Sequence, residues 1–496
     1  FQTDLSKSKM QLSGESLKLE SDIILHKKND VFFQVECERS IARELNDFFS
    51  FDVPEAKFMP AYKNRVWDGK IRLFDTRTNQ IYSGLYSYIR DFAEKRSYSI
   101  TGGYFSPLSI YRENVESFIS TLGLPHEVRD YQVDAVHHCI RSGRSLLVSP
   151  TASGKSLIIY ILIRYYCKLL EGTGGCVLLL VPTTSLVEQM FSDFKEYGWN
   201  AEYYCHRIYA GKEKESPKYC YISTWQSLYQ QPKSYFKRFA VIFGDEAHTF
   251  KADSLKKIMH KTTECEYKYG LTGTLDGTQC HRLVLEGLFG PVKQVTTTRQ
   301  LIDNKQLSDI KVHGIVLTYP KEECIIRKYQ DEIKYITQHT KRNNLIKNLS
   351  LDQKGNTLIL FSLIKHGELL YNMIKEKTND VHLVYGATDT ETREGVRRLT
   401  EESEGRILVA SFGVFSTGVN IRNLHNIIFA SPYKSRIRNL QSIGRGLRLH
   451  DSKVAANLYD IADDFDNKNH TIRHFVERIN IYNQEEFDYK LHKVQM

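Results

Sequence analysis

The chain lacks long hydrophobic runs. No stretch approaches the roughly 18 uncharged apolar residues of a membrane span, and no secretory signal is visible. That argues against a helical membrane protein. Cysteine is thinly spread, with nine residues at 37, 139, 167, 176, 205, 220, 265, 280 and 324. The odd count and the absence of any C-x-x-C pair argue against a disulfide framework and a zinc site, and fit a reducing cytosol. His137-His138-Cys139 is the nearest thing to a ligand cluster, but adjacent side chains on a helix diverge. No short-period repeat or low-complexity segment occurs. The charge excess is small as well. Lys and Arg number 68 against 59 Asp and Glu, a net +9, which does not by itself establish nucleic-acid binding. With 41% hydrophobic and 26% charged residues over 496 positions, the composition is that of a folded protein of about three domains.

What is present is organised around 149–156, S-P-T-A-S-G-K-S. The apolar run 146–148 precedes it and the apolar run 157–163 follows it, which predicts strand, tight loop, helix. A phosphate-cradling loop needs this order, because backbone N–H groups and the positive end of the helix then face the anion. Thr151, Ala152, Ser153 and Gly154 form the cradle. Lys155 is placed to reach the β- and γ-phosphates, and the Ser156 hydroxyl to hold Mg²⁺. Ser149 stands where the usual G-x-x-x-x-G-K-[ST] pattern has its first Gly.

Strand-like runs at 146–148, 176–181, 219–222, 240–243 and 267–271 alternate with helical stretches, which predicts a parallel, doubly wound sheet. A second series follows at 311–317, 357–361, 381–385, 407–410, 427–430 and 455–460, with a hinge expected near 302–308. The stretch 240–243 ends just before Asp245-Glu246-Ala247-His248, at the carboxyl end of a strand, where open α/β sheets bind ligands. Asp245 can orient Mg²⁺ through water, and Glu246 can polarise the water that attacks a γ-phosphate.

Ahead of the sheets, 1–22 reads as a polar tail and 23–101 as a small α+β domain. Within it, 31–35 alternates like a strand, 40–51 reads as a helix, and 57–75 reads as paired strands around the Asp68-Gly69 turn. A second helix is expected over 86–96 and a further strand over 97–101. Lys57, Lys63, Arg65, Lys70 and Arg72 crowd the expected hairpin, with Tyr62 and Trp67 between them. Basic residues interleaved with aromatics suit a nucleic-acid surface. Residues 102–128 read as a connector with a helix over 112–122, 129–302 as the first sheet domain, and 303–496 as the second with a helical C-terminal extension. In that extension Ile472, Phe475, Val476 and Ile479 form an apolar stripe expected to face the core.

The ordered set Arg129-Asp130-Tyr131-Gln132, the phosphate loop, Val181-Pro182-Thr183-Thr184, Asp245–His248, Leu271-Thr272-Gly273-Thr274 and Gln441-Ser442-Ile443-Gly444-Arg445-Gly446-Leu447-Arg448 resembles the superfamily 2 helicases of the DEAH-like branch. The resemblance spans about 125–465 and implies two tandem RecA-like domains that hydrolyse ATP with Mg²⁺. It also implies roles. Arg129 and Gln132 read the adenine. Thr183 and Thr184, and Thr224-Trp225-Gln226, grip nucleic-acid phosphates, with Ser362 and Lys365 doing so from the second domain. His248, Thr272 and Thr274 link hydrolysis to domain motion. Gln441 senses the γ-phosphate or its water, and Arg445 and Arg448 are arginine fingers. Ser411, Thr417, Gly418 and Asn420 touch both nucleic acid and nucleotide. The family often has Gly where Ala152 stands. Since Ala needs ordinary φ, a slightly different loop is expected.

Asn64–Leu73, N-R-V-W-D-G-K-I-R-L, ahead of such a core, with 411–418, is similar to the UvsW recombination helicases of phages. That likeness implies work on branched DNA: fork regression, junction migration, and removal of D-loops and R-loops in recombination and repair. The DNA is single-stranded and branched, RNA–DNA hybrids are a further substrate, the motor is monomeric, and its location is the host cytoplasm. Lys63, Arg65, Lys70 and Arg72 are then expected to hold DNA. Three alternatives stay open on sequence: a helicase acting on RNA, a duplex translocase that does not separate strands, and a binding or annealing protein with a vestigial nucleotide site.

Overall fold

The computed structural model describes residues 21–54, 56–103, 109–275, 277–417, 421–432, 435, 443–444, 447 and 455–496, apart from the side chains at 251, 390, 416 and 417. The chain divides into two units, Phe1–Phe105 and Ser106–Met496.

In the first unit, the strand Ile23–Lys27 pairs antiparallel with Phe32–Cys37 and parallel with Ile100–Gly102, and Gln80–Tyr82 and Phe74–Asp75 extend the sheet beyond Phe32–Cys37. The helices Arg39–Phe48 and Tyr86–Lys95 bury Ile41, Leu45, Ile89 and Phe92. Three expectations need correction. The helix expected over 40–51 stops at Phe48. Ser50–Asp52 instead forms a strand, with the Ser50 hydroxyl closing the last helical turn on the Asn46 carbonyl (2.6 Å). The hairpin expected over 57–75 does not form. Ala56–Phe58 is a 3₁₀ turn and Pro60–Lys63 a short helix, because Pro at the first helical position loses no hydrogen bond there. The chain then turns at Gly69 (φ +82°), and Lys70–Arg72 pairs with Ser50–Asp52. A Cβ on Gly69 would lie 3.1 Å from both Ala56 and the Tyr62 ring, so the turn is packed as well as left-handed. Finally, the last strand begins at Ile100, not at 97.

The second unit holds two seven-stranded sheets whose paired strands all run parallel. The first is ordered Cys205–Ile208, Cys220–Thr224, Cys176–Val181, Phe239–Asp245, Tyr267–Thr272, Arg144–Val148, Val292–Gln294. Its five inner strands are almost wholly buried, as apolar runs without alternation require when helices cover both faces. The second is ordered Val381–Val384, Ile407–Ser411, Thr357–Phe361, Asn426–Phe429, Ala455–Asp464, Asp309–Thr318, Tyr489–Gln495. Three strands had no counterpart in the sequence reading: Cys205–Ile208, Val292–Gln294 and Tyr489–Gln495. All three are edge strands. The last corrects the purely helical C-terminal extension: the helix His470–Gln484 is followed by a strand that joins the sheet. Val476 on that helix is 55% exposed rather than inward. In the expected hinge, the helix Thr298–Asp303 ends and Lys305 takes a left-handed φ of +55° before the second sheet begins.

The second lobe is pinned by buried ion pairs. Arg478 donates to both Asp460 oxygens (2.8–3.0 Å), and Tyr482 adds a third donor at 2.7 Å, all inside the core. Arg342 donates to Asp463 at 2.7 Å with both side chains fully buried. Removing one partner strands the other charge out of water. Arg478→Ala is therefore expected to destabilise the second lobe by about 3–5 kcal/mol, seen as an earlier urea transition, and Asp460→Leu in the same chain should recover part of the loss.

Candidate nucleotide and nucleic-acid site

Because the first sheet is wholly parallel, every strand ends at one edge. Across that edge, Thr224, Val181, Asp245, Thr272 and Val148 stand in adjacent strands. Ladder spacing is about 4.8 Å. The phosphate loop follows Val148 on one side, and Thr183 and Thr224 lie on the other. Asp245 and Glu246 stand between them.

The loop is braced from beneath. The Ser153 carbonyl accepts from the Gln132 amide (2.9 Å) and the Tyr131 hydroxyl (3.0 Å), and Arg129 donates to that hydroxyl (2.8 Å). Gln132 is buried, and its amide oxygen caps the helix start at the Arg129 N–H (3.0 Å). The fully buried Ser149 hydroxyl, at the position of the missing Gly, pairs with that of Ser153 at 2.5 Å. Lys155 lies over the loop, its Nζ 3.2 Å from the Ser149 carbonyl. Gly154 takes φ +81°, and a Cβ there would strike the Gln132 amide at 2.2 Å. Ala152 overturns its expectation. It takes φ +66°, a left-handed conformation costing about 1–2 kcal/mol, so the loop keeps the glycine-type turn with an alanine in it. Ser156 follows Lys155 at the helix start; burial raises the Asp193 carboxyl to about 6, with the Ser156 hydroxyl pulling the other way.

Asp245 ends its strand 5% exposed. Burial and the neighbouring Glu246 charge raise its carboxyl to about 7, with Lys155 pulling the other way. Its Oδ1 has no hydrogen-bond partner among the described residues. A buried carboxylate oxygen of this kind fits a hydrated divalent cation. Glu246 takes a left-handed φ of +49° and is less buried than Asp245, so the two carboxylates differ in access to solvent. His248 Nδ1 lies 3.3 Å from Glu246 and 3.0 Å from the Thr272 hydroxyl, which donates to the Thr274 carbonyl (2.9 Å). A continuous chain thus runs from the carboxylate pair into the 272–274 turn.

On the far side, Thr183 caps the helix Thr184–Glu196, its hydroxyl accepting from Leu186 N (3.3 Å). Thr183, Thr184, Thr224 and Gln226 line one cleft of about 570 Å³. Trp225 is half-buried beside them, its ring 6.1 Å from that of Tyr229. The same cleft is lined by Tyr209, Lys212 and Lys214, which the sequence reading missed. Their signal was a basic, Gly-containing loop after the strand Cys205–Ile208, itself overlooked. In the second lobe, Ser362 and Lys365 are exposed past the strand Thr357–Phe361, and Ser411 ends the strand Ile407–Ser411. In the first unit, Lys63, Arg65, Lys70 and Arg72 are all exposed; Arg72 is bridged to Asp68 at 2.5 Å. Gly418, Asn420, Gln441, Arg445 and Arg448, with the Thr417 side chain, lie outside the described residues. Between Gln441 and Arg445, Gly444 does meet the loop: a Cβ built on it would lie 2.7 Å from that of Thr151. Tyr131 and Ala152 pack against the second lobe's apolar cluster, which includes Ile443 and Leu447. The lobes therefore meet at the phosphate loop.

Two parallel-sheet lobes closing on a phosphate loop, with a carboxylate pair at the strand ends, define a nucleic-acid motor of superfamily 2. Family models agree along the chain: the N-terminal domain of the DNA helicase UvsW over 22–102, the res subunit of type III restriction enzymes over 125–277, and the conserved C-terminal helicase domain over 340–450. The ATP-dependent DNA helicase uvsW of Enterobacteria phage T4 is 34% identical, over 96% of this chain and all of that protein. A DNA 3′-5′ translocase XPB2 of Sulfurisphaera tokodaii is 23% identical over 66% of this chain and 80% of its own. The crystal structure of T4 UvsW superposes with a TM-score of 0.51 at 32% identity, covering 96% of this chain and 99% of that one. The chain belongs to the UvsW family of ATP-dependent DNA helicases.

Two outcomes follow from this geometry. Asp245 binds its proton more tightly folded than unfolded, so stability falls as pH rises from about 4 to about 7. Asp245→Asn should therefore melt later than the wild type at pH 8 without nucleotide or divalent cation, and the gap should close toward pH 4. Gly444→Ala places a methyl against Thr151 and should cut DNA-stimulated ATP turnover about tenfold, as overpacking of 1–3 kcal/mol does, with little change in melting temperature.

Proposed function

We propose that this helicase remodels branched DNA, regressing forks, migrating junctions and removing D-loops and R-loops in recombination and repair. The carrying observation is the pairing of a two-lobed motor with a UvsW-type N-terminal domain that exposes Lys63, Arg65 and Lys70 beside Tyr62. A motor alone grips backbone and is blind to branching. A separate basic surface supports recognition of shape.

The residues divide the work by position. Gln132 and Arg129 hold the phosphate loop and the adenine. The loop amides of Thr151–Gly154 and the Lys155 ammonium hold the phosphates. Asp245 and Ser156 would hold Mg²⁺, whose charge would offset that of the phosphates. Glu246, the less buried of the pair, accepts the proton of the attacking water. Gln441, Arg445 and Arg448, with Gly418 and Asn420, are assigned by the family resemblance to the nucleotide and to stabilising the transferring phosphoryl group. His248, Thr272 and Thr274 carry the change in the carboxylate pair toward the DNA cleft. There Thr183, Thr184, Thr224, Trp225 and Gln226, with Lys212 and Lys214, grip one stretch of backbone. Ser362, Lys365, Ser411 and Thr417 grip another, so closing and opening moves a monomer along the strand.

A turnover and unwinding panel tests this reading with single-stranded DNA, RNA, blunt duplex, RNA–DNA hybrid, fork and four-way junction. Junction and fork should stimulate turnover and be resolved, RNA should not, and Lys155→Ala and Glu246→Gln should each lower turnover by at least about a hundredfold. Equal stimulation by RNA and junction, or triplex displacement without strand separation, would replace branched DNA by one of the alternatives.

A further inference from the structure

Residues 56–70 form a compact knob on the N-terminal unit, and its tip is apolar. Val66 is 81% exposed, Phe58 63%, and Met59 and Tyr62 42% each. Four large apolar side chains in water within nine residues need a reason, because exposed apolar clusters mark contact surfaces. The knob is stiff. Lys63 N bonds Met59 O (3.0 Å), Val66 N and Trp67 N both bond Ala61 O (3.0 and 3.2 Å), and the Trp67 indole donates to Lys70 O (2.8 Å). Tyr62 packs on Gly69, and Arg65 is held at a left-handed φ of +55°. The tip therefore arrives pre-formed, with little ordering left to do on contact.

Its surroundings say what it fits. Asp68 is the one acid between 57 and 72, and Arg72 already bridges it. Lys57, Lys63, Arg65 and Lys70 remain exposed around the apolar tip, with the Lys57 ammonium 5.3 Å from the centre of the Phe58 ring. An apolar tip in a cationic ring selects a polyanion with flat apolar faces bared. Continuous duplex hides those faces, whereas a DNA branch point exposes them where strands part. We infer that Phe58 stacks on, and Val66 packs against, unpaired or end-stacked bases at a DNA branch point, flanked by Met59 and Tyr62, while the surrounding cations hold its phosphates. This rests on the branched-DNA reading above and adds that the branch is read through its bases.

The test uses the full chain, a four-way junction carrying 2-aminopurine at the crossover, and a blunt duplex of the same arm sequence. Phe58→Ser with Val66→Ser changes only exposed positions, so the melting temperature should hold. Junction binding should weaken about tenfold, the value of roughly one stacked base, while duplex binding stays within about twofold. The fluorescence change seen on wild-type binding should disappear. Lys63→Ala with Arg65→Ala and Lys70→Ala should instead weaken both DNAs and flatten the salt slope, by up to about 0.9 per charge removed. If the triple variant behaves so but the double variant binds the junction like the wild type, stacking is refuted and the DNA-binding surface stands. If the double variant loses junction and duplex binding equally, branch selectivity is refuted. If neither variant alters binding or slope, the branched-DNA role of this surface falls as well.

Discussion

A parallel sheet sends every strand end to the same edge, and the rest of this molecule depends on that constraint. Strand order then decides what can touch. Placing Phe239–Asp245 between Cys176–Val181 and Tyr267–Thr272 sets Asp245 one strand from the turn at 272–274 and two from the phosphate loop, with the Thr183 and Thr224 cleft on its other flank. The carboxylate pair thus stands at one sheet edge between the phosphate loop and the cleft lined by Thr183 and Thr224. The Glu246–His248–Thr272–Thr274 contacts form the short chain through which the proposed coupling would run.

The same edge concentrates local cost. Ala152 and Glu246 both sit at positive φ, and Asp245 is buried with an oxygen lacking a partner among the described residues. In a protein free of function each would be relieved by a common substitution. Here each stands at the phosphate-loop edge of the sheet, and strain and unmet polarity of this kind cluster at functional sites. The rigidity that tolerates this comes from fully buried strands in the first lobe and, in the second, from the charge pairs Arg478–Asp460 and Arg342–Asp463.

Surface chemistry on the two units differs in kind. The motor cleft presents hydroxyls, amides and lysines, groups that suit a repeating backbone without reading it. The N-terminal knob presents apolar side chains within a basic ring, a combination suited to bared bases. The branched-DNA role proposed above would use both, one surface to move along any sequence and one to begin at a particular shape.

The sequence by itself determined the two-lobed α/β plan, the strand series and the nucleotide motifs, because apolar runs and fixed-spacing loops are local signals. Asp245, Lys155 and Thr183 were legible for that reason; the roles expected of Lys155 and Asp245 came from motif chemistry, and that of Thr183 from likeness. Only the tertiary structure decided the edge strands Cys205–Ile208 and Tyr489–Gln495, whose patterns are too short or too polar to stand out before a neighbouring strand satisfies them. It also decided the left-handed turn at Ala152, which local preference disfavours and the packed loop imposes. The segment from 57 to 72 shows the division best. Its charges were plain in the sequence. Its helix, its pairing with Ser50–Asp52 and its apolar tip were not, since these depend on which distant strand Lys70–Arg72 meets.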